Sequence, residues 1–191
     1  MKVVAFNGSA RKDGNTAILL NTVLEEIRKE GIETELYQLA GKKIQGCIAC
    51  MKCMKNRDRR CAVTKDIVNE CIAKMIEADG ILLGSPTYFA DVSAATRALI
   101  ERAGYVARAN DYMFKRKVGA GVIAVRRGGA IHAFNSLNLF FFYQQIINPG
   151  SSYWAFGVGR EPGEVLGDAE GMQTMKTLGQ NLAWLLKKVR A

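Results

Sequence analysis

At 191 residues and 49% hydrophobic content, the chain has the size of one domain, residues 1–191, burying roughly 70% of the surface its unfolded form exposes. No apolar run approaches the ~20 residues of a membrane helix, and the N-terminus enters a strand pattern without a secretory leader, so a cytoplasmic protein with no membrane partner is expected. The net charge of +9 is concentrated locally, and no aromatic-studded basic stripe or recognition motif accompanies it, which argues against nucleic acid as a partner.

Val3-Val4-Ala5-Phe6, ended by Asn7-Gly8-Ser9, suits a buried parallel strand. Asn7-Gly8-Ser9 is formally a glycosylation sequon, discounted in a cytoplasmic chain. From Thr16 the period changes: Leu20, Val23, Leu24 and Ile27 recur at helical spacing opposite Asn21, Glu25, Arg28 and Lys29, predicting an amphipathic helix up to Gly31. Alternation over 33–39 predicts a second strand.

Then come four of the five cysteines, Cys47, Cys50, Cys53 and Cys61, in a C-x2-C-x2-C-x7-C run. They are too few and too clustered for a disulfide framework, so metal binding or thiol redox is favoured. Lys42, Lys43, Lys52, Lys55, Arg57, Arg59, Arg60 and Lys65 face only Asp58 in this stretch. Such charge favours thiolate, the form that ligates metal, and attracts an acidic electron donor; a solvated basic loop is the plainer alternative. Cys71 falls on the apolar face of a helix marked by Val68, Ile72, Met75 and Ile76, as a core cysteine does.

Ile81-Leu82-Leu83-Gly84 is the third strand, running into Ser85-Pro86-Thr87-Tyr88-Phe89, with a helix over 93–103. Residues 118–125 make a fourth strand, ended by Arg126-Arg127-Gly128-Gly129. The segment 137–147, with Phe140, Phe141, Phe142 and Tyr143, is apolar on too many sides for a surface helix and needs cover from core or another subunit. Residues 152–156 predict a fifth strand, and Met172 to Val189 a closing helix. The alternation argues a doubly wound five-stranded parallel sheet of order 2-1-3-4-5, with the cysteine loop after the second strand. His132, the one histidine, reads as structural or at a helix start.

In such a sheet, ligands bind beyond the carboxyl ends of the strands. The first loop offers hydroxyls from Ser9 and Thr16, the Arg11 guanidinium and the N–H groups of a helix start, a phosphate cradle without the Walker A or dinucleotide pattern. The second places a rigid proline and two aromatics beside it, the wall a flavin ring requires. Arg126-Arg127-Gly128-Gly129 adds cationic and backbone donors.

Phe6-Asn7-Gly8-Ser9-Ala10-Arg11 with Gly14-Asn15-Thr16, then Gly46-Cys47 onward, then Gly84-Ser85-Pro86-Thr87-Tyr88-Phe89 resemble the NADPH-dependent FMN reductase family and its iron-sulfur flavoprotein branch, over nearly the whole chain. The resemblance implies a flavodoxin-like fold. It also implies an FMN phosphate held by Ser9, Arg11, Asn15 and Thr16, and a ring against Pro86, Thr87, Tyr88, Phe89, Arg127, Gly128 and Gly129. By the same likeness Cys47, Cys50, Cys53 and Cys61 hold a 4Fe-4S cluster, with free thiols and zinc as the other readings.

The expected function is an FMN-dependent oxidoreductase passing electrons between cluster and FMN and on to a small acceptor, fed by an acidic carrier such as ferredoxin. A cluster-free reductase of FMN or quinones taking hydride from NAD(P)H is the alternative, and a non-enzymatic electron carrier or redox sensor the third. By the family's habit the protein is a homodimer or homotetramer.

Overall fold

The computed structural model describes residues 1–190. In chain order these form β1 (Lys2–Asn7), α1 (Asn15–Lys29), β2 (Glu33–Gln38), α2 (Lys52–Asn56), α3 (Val68–Glu77), β3 (Gly80–Pro86), α4 (Ala94–Ala109), β4 (Val118–Val125), α5 (Ala130–Tyr143), β5 (Phe156–Val158), a 3-10 turn (Glu164–Gly167) and α6 (Ala169–Val189). The strands form one parallel sheet of order β2-β1-β3-β4-β5, the expected flavodoxin-like order.

The continuous apolar runs are explained by cover on both faces. Val4, Phe6, Ile81, Leu83, Ile123 and Val125 point to a core closed by α3, α4 and α5. Val3, Ala5, Leu82, Ala120, Val122 and Ala124 point the other way, against α1 and α6. Each fully buried Val, Leu or Ile contributes roughly 1.5–3 kcal/mol, so the sheet centre is rigid and its strand ends are fixed platforms. Among the described residues, no helix is long and apolar enough to cross a membrane.

Several features differ from expectation, α4 among them, which runs on to Ala109 past the expected end at 103. The fifth strand is 156–158 rather than 152–156: Tyr153 and Trp154 pack on each other at 4.6 Å in an irregular segment, and pairing with β4 starts only at Phe156. The aromatic segment belongs to a helix that starts earlier, at Ala130. Its Leu137, Phe140 and Phe141 are buried on the sheet, whereas Leu139 and Phe142 are exposed. A one-turn helix, α2, also interrupts the cysteine loop and carries Cys53.

Candidate functional site

The carboxyl ends of β1, β3, β4 and β5 enclose a cavity of about 180 Å³ lined by Ser9, Arg11, Asn15, Thr16, Pro86, Thr87, Tyr88, Ala124, Arg126, Gly159 and Arg160. Its floor is a loop whose shape the strand ends dictate. Asn7 Oδ1 accepts from Ser9 N–H (3.0 Å), Ser9 Oγ accepts from Arg11 N–H (3.1 Å), and Gln38 Nε2 donates to Ser9 O (2.7 Å). Gly8 sits where only a hydrogen fits: a Cβ there would overlap the Thr96 hydroxyl and lie 3.0 Å from Gly84 O and 3.1 Å from Ser93 Oγ.

Helix α1 then starts at Asn15 with Gly14 as its N-cap, without a capping side chain and without an acid in its first turn. Its leading N–H groups are therefore free for an external anion. Arg11, Arg126 and Arg160 line the same cavity. The Thr87 hydroxyl on its wall is buried without a hydrogen-bond partner, a cost a bound polar ligand would relieve. These features fit a phosphate-bearing ligand, and the volume suits the phosphate end of a flavin nucleotide rather than its whole length.

Asn15 is buried and does more than start a helix. Its Nδ2 donates to Glu161 O (3.0 Å) and its Oδ1 accepts from Gly163 N–H (2.9 Å). Arg11 Nη1 donates to Arg160 O (3.2 Å). Together they tie the loop after β5 over the cradle.

The second loop forms a tight turn, Tyr88 and Asp91 exchanging backbone hydrogen bonds of 2.8 and 3.0 Å. Phe89 and Ala90 between them have φ of 49° and 61°, a left-handed conformation costing on the order of 1–3 kcal/mol per residue that surrounding contacts must hold. Asp91 is the holder. It accepts from Arg97 of α4 and from Ser136 Oγ of α5 (2.7 Å), with His132 Nδ1 3.9 Å away. Burial pushes the Asp91 carboxyl up, but Ser136, the Val92 N–H and Arg97 together hold it below the usual carboxylate range. His132 is exposed in the first turn of α5.

The predicted ring-binding residues divide. Pro86, Thr87 and Tyr88 line the cavity; Phe89 points wholly outward, at 107% relative exposure. Arg127, Gly128 and Gly129 are outside the lining. Gly129, at φ 86°, instead supports the turn: a Cβ there would lie 2.9 Å from Ala90 Cα. Arg126, read from the sequence only as part of the third loop's cationic donors, is the member of that loop that reaches the wall, while Gly159 and Arg160 were missed.

The four cysteines Cys47, Cys50, Cys53 and Cys61 line a second pocket, closed by Arg102, Tyr105 and Val106 of α4. None of the four is paired in a disulfide. Among the described residues, no three His, Cys, Asp or Glu side chains are disposed to hold a single metal ion. The segment reaches this shape through left-handed backbone at Ala49, Met51, Arg57 and Arg59. Ala49 N–H donates to Cys47 Sγ (3.4 Å), and Arg102 Nε to Cys61 Sγ (3.3 Å).

The expected depression of thiol pKa by the basic residues is reversed at Cys53, where burial pushes the thiol up and the neighbouring Cys61 and Cys47 add to it. One of the cations, Arg57, is turned elsewhere: it pairs with Asp111 and donates to Ala109 O. Burial likewise pushes the core Cys71 thiol up to about 12.

Helix α4 supports both pockets. Ser93, its N-cap, donates to Gly8 O (2.7 Å), Arg97 holds the Asp91 turn, Glu101 accepts from Cys47 N–H (3.3 Å) and Arg102 reaches Cys61. At 1.5 Å per residue, Ser93 and Arg102 lie about 14 Å apart along the axis.

Residues 1–161 match the family described as NADPH-dependent FMN reductase. An iron-sulfur flavoprotein of Methanocaldococcus jannaschii is 36% identical over 100% of both chains. One of Archaeoglobus fulgidus is 36% identical over 77% of this chain and 71% of its own, and one of Methanosarcina thermophila is 30% identical over 100% and 97%. Among solved structures, an NAD(P)H:quinone oxidoreductase from Methanothermobacter marburgensis superposes with a TM-score of 0.71 at 13% identity, covering 95% of this chain and 96% of its own. A WrbA-like flavodoxin from Agrobacterium tumefaciens gives 0.67 at 14% identity, covering 98% and 97%. Both share the fold.

Proposed function

Because this chain belongs to the NADPH-dependent FMN reductase family, in its iron-sulfur flavoprotein branch, we propose that it is an FMN-dependent oxidoreductase. Cys47, Cys50, Cys53 and Cys61 would hold a 4Fe-4S cluster and the strand-end cavity would hold FMN, so that the two could exchange electrons and supply them to a small acceptor. The observation that carries this reading is that all four cysteines line one pocket on a helix that also braces the cavity. When bound, FMN supplies exchange between one- and two-electron transfer, and a cluster supplies one-electron storage.

The residues divide the work. The first-turn N–H groups of α1, with Ser9, Thr16, Arg11, Arg126 and Arg160, bind and orient the phosphate; Thr87 gains the partner it lacks. Pro86 and Tyr88 wall the cavity, and Asp91 keeps their turn in its strained form. Around the sulfurs, Ala49 N–H donates to Cys47 Sγ and Arg102 Nε–H to Cys61 Sγ, which orients both side chains.

The exposed cations of the cysteine segment, Lys52, Lys55, Arg59 and Arg60, suit docking of an acidic one-electron carrier such as ferredoxin. Phe89, Leu139 and Phe142, exposed on neighbouring loops and α5, suit contact with a second copy in a homodimer or homotetramer.

Anaerobic stopped-flow reduction tests the proposal. A reduced one-electron carrier should reduce the flavin quickly in the wild type and slowly in Cys50→Ser, whose exposed position leaves the fold intact. Fast reduction by NADPH in both proteins would overturn it and leave a cluster-free reductase that takes hydride from NAD(P)H.

A further inference from the structure

Arg102 is the largest fully buried side chain of the protein, at 1% exposure, and it lies against the cysteine pocket rather than in the sheet core. A buried guanidinium is costly unless every N–H finds an acceptor. Here four of the five do. Nη1 donates to Asp66 Oδ2 and to Gln45 O (3.1 Å), Nη2 to Val63 O (2.8 Å), and Nε to Cys61 Sγ (3.3 Å).

Asp66, whose side chain is fully buried, balances the charge and also accepts from Gln45 N–H and Val68 N–H, both at 3.2 Å. Gln45 precedes the first cysteine of the run and Val63 follows the last, so one side chain clasps both ends of the segment to α4. The Cys61 backbone is fixed separately: its N–H donates to Asn69 Oδ1 (2.8 Å) and its carbonyl accepts from Asn69 Nδ2 (2.9 Å). With main chain and sulfur both held, Cys61 is anchored while Cys47 and Cys50 stay exposed.

We propose that Arg102 is a positioning residue that presents Cys61 to the cluster and raises the cluster's reduction potential through the Nε–H···S hydrogen bond. The inference rests on the cluster reading above. Reduction adds one electron to a cluster whose charge spreads onto its sulfur ligands, and a donor at one sulfur stabilises the more negative state. The Asp66 partner leaves the pair neutral, so the effect belongs to the directed N–H.

The test is an EPR-monitored redox titration of wild type, Arg102→Lys and the double variant Arg102→Met with Asp66→Asn. Lys keeps the positive charge but has no Nε–H fork. The double variant removes both charges together, which avoids leaving a buried carboxylate alone. Both are expected to lower the cluster potential by about a tenfold change in the reduction equilibrium, about 59 mV for one electron, with FMN affinity unchanged. Loss of iron from variants that still bind FMN as the wild type does supports the positioning role equally, and should the double variant not fold, Arg102→Lys decides. A wild-type potential in Arg102→Lys with full iron overturns the inference alone. A wild type without iron and sulfide after anaerobic reconstitution overturns the cluster reading and this inference with it.

Discussion

Gly8→Ala is the substitution whose cost the structure defines most sharply. A methyl at this position overlaps the Thr96 hydroxyl and presses on Gly84 O and Ser93 Oγ, so the loop must lift from α4 and the Ser93 Oγ–H···O=C Gly8 bond of 2.7 Å breaks. Overpacking costs about 1–3 kcal/mol and the lost bond about 0.5–1.5, together about 2–4 kcal/mol. For a chain of 191 residues, that lowers Tm by roughly 5–15 °C. The lifted loop carries Ser9, Arg11 and the start of α1, so FMN affinity should fall at least tenfold, about 1.4 kcal/mol. Thr96→Ala removes the obstructing oxygen, and the double variant should recover about 1 kcal/mol or more relative to the sum of the singles. Thermal melts and fluorescence titration of apoprotein with FMN measure both. A Gly8→Ala protein melting within about 1 °C of wild type, or a coupling below about 0.5 kcal/mol, would refute the reasoning.

Arg126→Ala should weaken FMN about five- to tenfold and riboflavin hardly at all, while Arg127→Ala leaves both near wild type; equal losses for the two ligands contradict a phosphate role. Asn15→Ala removes bonds to Glu161 O and Gly163 N–H, costing about 1–3 kcal/mol, and hydrogen exchange should rise over 159–165 before it rises in the sheet. The Asp91 carboxyl is held below its unfolded value, so its stabilisation is complete above about pH 4 and fades as pH falls through the folded value. Asp91→Asn should flatten FMN affinity in that acid range, and identical profiles for the two proteins count against the holding role. With metal-free protein at neutral pH, iodoacetamide should label the exposed Cys47 and Cys50 but not Cys71, whose thiol burial pushes up to about 12; early label on Cys71 in peptide mass spectra contradicts its core placement.

The sheet was legible because its central strands are buried on both faces and read as unbroken apolar runs, Ile81-Leu82-Leu83 most clearly. The cradle was legible because hydroxyl, guanidinium and helix start follow one strand within a few residues. Reading failed where side chains with strand propensity serve another purpose. Tyr153 and Trp154 pack on each other outside the sheet, and the true last strand has Gly157 at its centre, a residue of low strand propensity. That shift hid Gly159 and Arg160, which follow the real strand end. Arg126 and Arg127 are chemically alike and adjacent just past the end of β4, so the sequence does not say which of them lines the cavity. Arg102 was invisible for a different reason: its partners come from 36 to 57 positions away, and a lone arginine on an amphipathic helix carries no local sign that it will be buried.

Iron, acid-labile sulfide and FMN should be quantified together, with the visible spectrum, on protein purified without oxygen. Near four irons and four sulfides per FMN, with broad absorbance near 400 nm that disappears in Cys50→Ser, is the result expected of two redox centres on one chain. A clean flavin spectrum without iron, even after reconstitution, would contradict it.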